Sequence, residues 1–108
     1  MIRVFLAAVA IVASSVGLSP AASADDADIE FIGGISNYFR ESGTSLDSQT
    51  IKALIADAHK ACAMSDAGFS YEASEFIKSK WPMVDRFGFM LSATNAYCPQ
   101  HRSHWEGL

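Results

Sequence analysis

The apolar positions of the chain fall into one unbroken run and four periodic ones. The unbroken run extends from Val4 to Ala13, behind a single positive charge at Arg3. Ser14, Ser15 and Gly17 loosen it, and Pro20 is expected to break any helix there. Beyond Asp25 the apolar residues recur at helical spacing. The first periodic segment spans about Asp28 to Arg40, with Ile32, Ile35 and Phe39 on one face and Ile29, Phe31 and Tyr38 broadening it. Asp25, Asp26 and Asp28 suit its N-terminus, where negative charge meets the positive end of the helix dipole. Two interior glycines, Gly33 and Gly34, weaken it by about 2 kcal/mol relative to alanine. They are expected to mark a close approach by another helix.

The second segment follows the loop Ser42-Gly43-Thr44 and is capped by Asp47 or Ser48. Ile51, Leu54, Ile55, Ala58 and Cys62 share roughly 100° of arc on a helical wheel, which points Cys62 inward. Gly68 supplies a stop. A short third helix opens at Ser70 as its cap, runs to about Ser79, and turns Ala73, Phe76 and Ile77 inward. The fourth is predicted to start at Trp81-Pro82, since proline is favoured at a first helical position. It carries Met83, Phe87, Met90, Leu91, Thr94, Tyr97 and Cys98 along one stripe and ends at Pro99. No stretch alternates with period two, so no strand is expected. The fold class is all-α: a small four-helix domain over residues 25–99, with a polar C-terminal tail over 100–108.

The N-terminal pattern changes the picture of where this domain works. A basic start, an apolar centre and Ala22-Ser23-Ala24 followed by Asp25-Asp26 form the three-part plan of a cleavable signal peptide over residues 1–24. Its apolar run of about ten residues is short of the ~20 needed to span a bilayer. Asp25, not cysteine, follows the cut, so no lipid attachment is expected. The product is expected in the secreted or cell-envelope, extracytoplasmic space, with no stable membrane anchor after cleavage. Two cysteines in an exported chain read as one disulfide, and Cys62–Cys98 is the one pairing available. Closing a loop of about 37 residues stabilises by roughly 4 kcal/mol in the chain-entropy account. That is a large share of the ~5–10 kcal/mol a small domain has.

The residues then carry a resemblance. From about Ile29 to Pro99 the chain has an N-terminal apolar helix, then Ala58-His59-Lys60-Ala61-Cys62, a glycine six residues on at Gly68, Ser70 opening a short helix, and Tyr97-Cys98-Pro99 as its close. In these features it resembles the small exported proteins of mycobacteria and their relatives grouped as domain of unknown function 732. The motif at the first cysteine often begins with glycine in such proteins, and this chain has Ala58 there. The resemblance implies a helical, disulfide-bonded, exported domain. It brings no reaction, cofactor or substrate.

Charge and candidate chemistry narrow the function further. Arg3 leaves with the leader, so the formal net charge of −4 becomes −5. No basic cluster exists to neutralise phosphates, which argues against nucleic acid as a partner and against anionic membrane. His59 flanks Cys62, but a bridged sulfur is no nucleophile. His101 and His104 stand three apart in the polar tail, and two ligands alone make a weak metal site. Asp57, Asp66, Glu72, Glu75 and Asp85 form no acid/base spacing, and neither a phosphate loop nor a G-x-S-x-G is present. No catalytic residue, no metal site and no cofactor is expected. The aromatic residues Phe89, Phe31 and Tyr38 are the candidate partner surface, because Phe89 falls off the stripe of the fourth helix and the other two edge the first. The reading is a non-enzymatic binding or interaction module for an unknown protein or envelope component. The alternative is a small-molecule or lipid carrier with a cavity lined by Met83, Met90, Phe87 and Ile55.

Overall fold

The computed structural model describes residues 20–107. Among them the chain is helical with no strand: α1 (Pro20–Ser42), α2 (Ser48–Asp66), α3 (Ser70–Lys80) and α4 (Arg86–Tyr97), then a 3-10 helix over Pro99–His104. The signal-peptide reading over 1–24 falls, through residue 19, outside the described residues. Two helix starts depart from expectation. α1 begins eight residues before Asp28, with Pro20 opening it instead of breaking it. Proline is tolerated in a first turn, and the alanines at 21, 22 and 24 favour helix. The aspartates therefore lie inside α1 and not at its end. α4 begins at Arg86, not at Trp81-Pro82, because Asp85 caps it: extended at φ −64°, ψ 120°, its carboxylate accepts the Gly88 N–H at 2.8 Å. Trp81 to Val84 form a turn closed by the Val84 N–H on the Trp81 carbonyl.

The remaining boundaries follow the sequence closely. Asp47 caps α2 by accepting the Thr50 N–H at 2.8 Å. That pairing and the backbone N–H of Gln49 hold its carboxyl below the ordinary carboxylate range. Gly68, at φ +91°, ends α2. The Phe69 N–H reaches the Met64 carbonyl and the Gly68 N–H reaches that of Ser65, the paired bonds of a Schellman cap. Ser70 is the first residue of α3, one position inside the cap that Phe69 occupies.

α4 is the centre of the molecule. Phe31, Ile35 and Phe39 of α1, all buried, lie against one of its sides, and Phe31 meets Phe89 edge-on at 5.1 Å and Tyr97 at 5.6 Å. α2 and α3 pack together and cover the rest, bringing Leu54, Ala58, Ala61, Ala73 and Ile77 to Met90 and Ala93. The Cys62 and Cys98 sulfurs are at bonding distance, 2.09 Å, with their Cα atoms 6.0 Å apart. This joins α2 to the end of α4.

Two expectations about the surface are corrected here. Phe31 and Phe89 are fully buried against each other, because α4 is packed on two sides and a single apolar stripe cannot describe it. They form no partner surface. Tyr38 is half-buried, with its hydroxyl lying over the Cα of Gly88, where an added Cβ would come within 2.2 Å of it. The segment read as a polar tail folds back instead. Its 3-10 helix lies along α4 and seats Trp105, only 3% exposed, against Phe87 at 5.8 Å.

Candidate functional site

Most of the polar residues singled out in the sequence turn out to hold the fold. Asp57 is buried in α2, where its carboxylate accepts the Trp81 indole N–H at 2.7 Å and pairs with Lys80 at 3.1 Å. Asp66 pairs with His101 at 2.6 Å, which ties the 3-10 helix to the end of α2. Glu75 pairs with Arg86, Asp85 caps α4, and Glu72 lies in the first turn of α3. His104 is exposed and packs edge-on to Trp105. Among the described residues no group of three His, Cys, Asp or Glu stands close enough to hold a metal ion. Met90 is fully buried, while Met83 and Ile55 border separate surface hollows, so the residues expected to line a carrier cavity do not meet around one.

One apolar surface is only partly covered by the fold, although Ile32 and Ile55 within it also pack against the core. α1 packs mainly on α4 and touches α2 only lightly. Between α1 and α2 runs an open groove of about 310 Å³, lined by Asp28, Ile29, Ile32, Ile51 and Ile55. The pattern of each helix explains it. On α1 the core face is Phe31, Ile35 and Phe39, and Ile32 and Ile29 continue the apolar arc beyond that face. On α2 the core takes Leu54, Ala58, Ala61 and Cys62, and Ile51 and Ile55 continue the arc in the same way. Both helices are apolar over a wider arc than the core covers, and the surplus arcs face each other across the groove. Ile29 forms its outer lip and is 72% exposed.

The polar end of the groove is Asp28. Its carboxylate accepts the Tyr97 hydroxyl, and the Tyr97 ring stacks on His59 at 4.2 Å. His59 follows Ile55 by one helical turn, so it stands just past the apolar wall of α2 with its ring exposed. Burial pushes the Tyr97 phenol well above its ordinary value, and the hydrogen bond to Asp28 and the charge of that carboxylate push it further. Tyr97 therefore remains a neutral donor that fixes Asp28 in place. Asp26 is exposed on the α1 shoulder one turn before Ile29, and Lys52 is exposed beside Ile51 on α2. The groove thus offers four aliphatic side chains and one carboxylate, that of Asp28, while Asp26 and Lys52 lie outside its lining. It can hold an apolar surface and favour positive charge beside it. No nucleophile or proton-transfer pair stands in it.

Sequence reasoning placed all four isoleucines on the inner faces and so missed the groove. The available signal was the width of the apolar arcs. Comparison with known proteins adds a family but no activity. The model of the family described as a protein of unknown function, DUF732, matches residues 24–100. No curated protein and no solved structure matches the chain significantly.

Proposed function

The chain belongs to the DUF732 family of proteins of unknown function, and from that premise we propose that it is an exported, non-enzymatic binding module whose contact surface is the α1/α2 groove. The observation that carries this reading is the set Ile29, Ile32, Ile51 and Ile55, an apolar trough that the fold leaves open to water. Contiguous exposed apolar surface rimmed by charge marks sites of interaction. Export is supported by the leader pattern over residues 1–24 and by the joined cysteines, which persist in oxidising compartments. Among the described residues no helix is long and apolar enough to cross a membrane. A binding role is supported by the polar side chains, which are spent on caps and pairs that hold the helices together.

The test uses an uncharged fluorescent apolar probe, N-phenyl-1-naphthylamine, with the oxidised chain. Its emission should rise on binding, and Ile55→Asp and Ile29→Asp should each weaken that binding roughly tenfold, as expected for loss of an anchor in an apolar site. Ile29 is exposed, so Ile29→Asp should leave far-UV circular dichroism unchanged, and because Ile55 also packs on the core a melting curve checks that Ile55→Asp is folded. Equal probe binding by both variants and the parent chain would refute the groove as the binding surface.

A further inference from the structure

We propose that the occupant of the groove is a helical segment of another protein that is amphipathic and carries Lys or Arg beside its apolar stripe. This rests on the groove being the binding surface. Three features select this partner chemistry.

The first is the shape of the groove. It is open along its length, and its lip residue Ile29 is 72% exposed. A free acyl chain is apolar all round and would keep one side in water there. An amphipathic helix lays one stripe into such a trough and leaves its polar back wet, anchoring at i, i+3 or i+4 and i+7. The facing isoleucines at i, i+3 on α1 and i, i+4 on α2 offer that spacing.

The second is charge. Asp28 is the one charged residue lining the groove, and the chain as a whole is acidic. A basic partner gains on approach, and an acidic peptide or an anionic lipid surface is repelled.

The third is Gly33. It lies one turn beyond Ile29 on the same shoulder, is exposed, and has nothing within 4 Å of a Cβ built on it. Its neighbour Gly34 has an internal reason to be glycine, since a Cβ there would come within 2.3 Å of the Ser92 Oγ. No such reason exists for Gly33, which weakens the helix and opens backbone to approach. A helix crossing the groove at Ile29 would bring its backbone close to Gly33.

The experiment titrates the oxidised chain into three labelled 14-residue peptides and reads fluorescence anisotropy. One is a Leu/Lys amphipathic helix, one is its Leu/Glu counterpart, and one is a scrambled Leu/Lys sequence of equal charge without a stripe. The Leu/Lys helix should bind, displace the naphthylamine probe and weaken with added salt. Ile55→Asp and Gly33→Leu should each reduce its affinity roughly tenfold, Asp28→Asn should reduce it less, and Leu91→Asp, an exposed position on another face, should leave it unchanged. Melting curves confirm that each variant is folded. Binding of the scrambled or Leu/Glu peptide equal to that of the Leu/Lys helix would overturn the inference. So would probe displacement by phosphatidylcholine vesicles, or by self-association in sedimentation equilibrium, with no displacement by the Leu/Lys helix. In those cases the probe is still held through Ile29 and Ile55, so the groove reading survives. If the probe does not report on those residues, the groove reading itself has failed.

Discussion

The adjacent glycines of α1 should respond to the same substitution with opposite signs. Neither has a positive φ, so alanine fits the backbone at both positions. Each replacement removes the cost of an interior helical glycine, about 1 kcal/mol. At Gly33 the new methyl meets nothing within 4 Å, so the whole gain is realised. Gly33→Ala should stabilise the domain by about 1 kcal/mol and raise Tm by roughly 4–8 °C for a domain of this size. At Gly34 the methyl arrives 2.3 Å from the Ser92 Oγ and 3.1 Å from its Cβ. The hydroxyl can rotate away, but the Cβ is fixed to the α4 backbone, so α1 and α4 must part by a few tenths of an ångström. Forcing extra volume into a packed contact costs about 1–3 kcal/mol, which equals or exceeds the propensity gain. Gly34→Ala should therefore be neutral to destabilising by up to about 2 kcal/mol. The cause is isolated by adding Ser92→Gly, which removes both opposing atoms. In that background Gly34→Ala should become stabilising, giving a coupling of about 1–3 kcal/mol between positions 34 and 92. Urea unfolding of the four chains with the disulfide intact, followed by circular dichroism at 222 nm, measures it. Equal midpoint shifts for Gly33→Ala and Gly34→Ala, or no relief by Ser92→Gly, would refute the assignment of Gly34 to the α1–α4 contact.

Four further outcomes are expected. Reducing Cys62–Cys98, which are 36 apart in sequence, should remove roughly 4 kcal/mol of stability; a thermal melt in reductant that matches the oxidised one would count against the staple. Asp57→Ala should cost about 1–3 kcal/mol because it strands the indole N–H of the half-buried Trp81, whereas Lys80→Ala, whose ammonium is half in water, should cost less than about 1 kcal/mol by chemical denaturation. Trp105→Ala should cost about 3–5 kcal/mol, a loss that a solvated tail would not show. The phenols of Tyr38 and Tyr97 are both raised above 10.0, each by burial first and by nearby carboxylates second. A raised folded value means that their contribution to stability is complete below pH 10 and is lost as pH climbs above it. Absorbance titration at 295 nm should show two late-ionising tyrosines, and Asp28→Asn should bring the later one partway down.

The helices could be read from the sequence because each carries its period and punctuation locally. Asp47, Gly68 and the run from Ile51 to Cys62 fix α2 with no help from the rest of the chain. The misreadings of Phe89 and Trp105 came from tertiary packing. Phe89 looked stray because one stripe was assumed for α4, and that helix is covered on two sides. Trp105 looked solvated because its neighbours Arg102, His104 and Glu106 are polar, yet its ring packs on Phe87 and Arg102 donates to the Asn95 side chain, which holds the segment on α4. The start of α4 was misplaced because Pro82 and Asp85 are both start signals, and the cap with a measurable acceptor role prevailed. The joining of Cys62 to Cys98 needed only the count of cysteines and the expectation of export drawn from the leader pattern. The groove needed knowledge that α1 and α2 stay apart, which no local pattern contains.

That separation follows from how the two helices are attached. α1 is fastened to α4 through Phe31, Ile35 and Phe39. α2 is fastened to α4 through Cys62–Cys98 and the Leu54–Ala58–Ala61 face. Each is anchored to the same third helix, and neither is anchored firmly to the other. A chain of this size has few apolar residues to spare, since small domains bury a modest share of their surface. Had α1 and α2 closed on each other, Ile29, Ile32, Ile51 and Ile55 would have joined the core. Instead Ile32, Ile51 and Ile55 stay half-buried and Ile29 stays exposed.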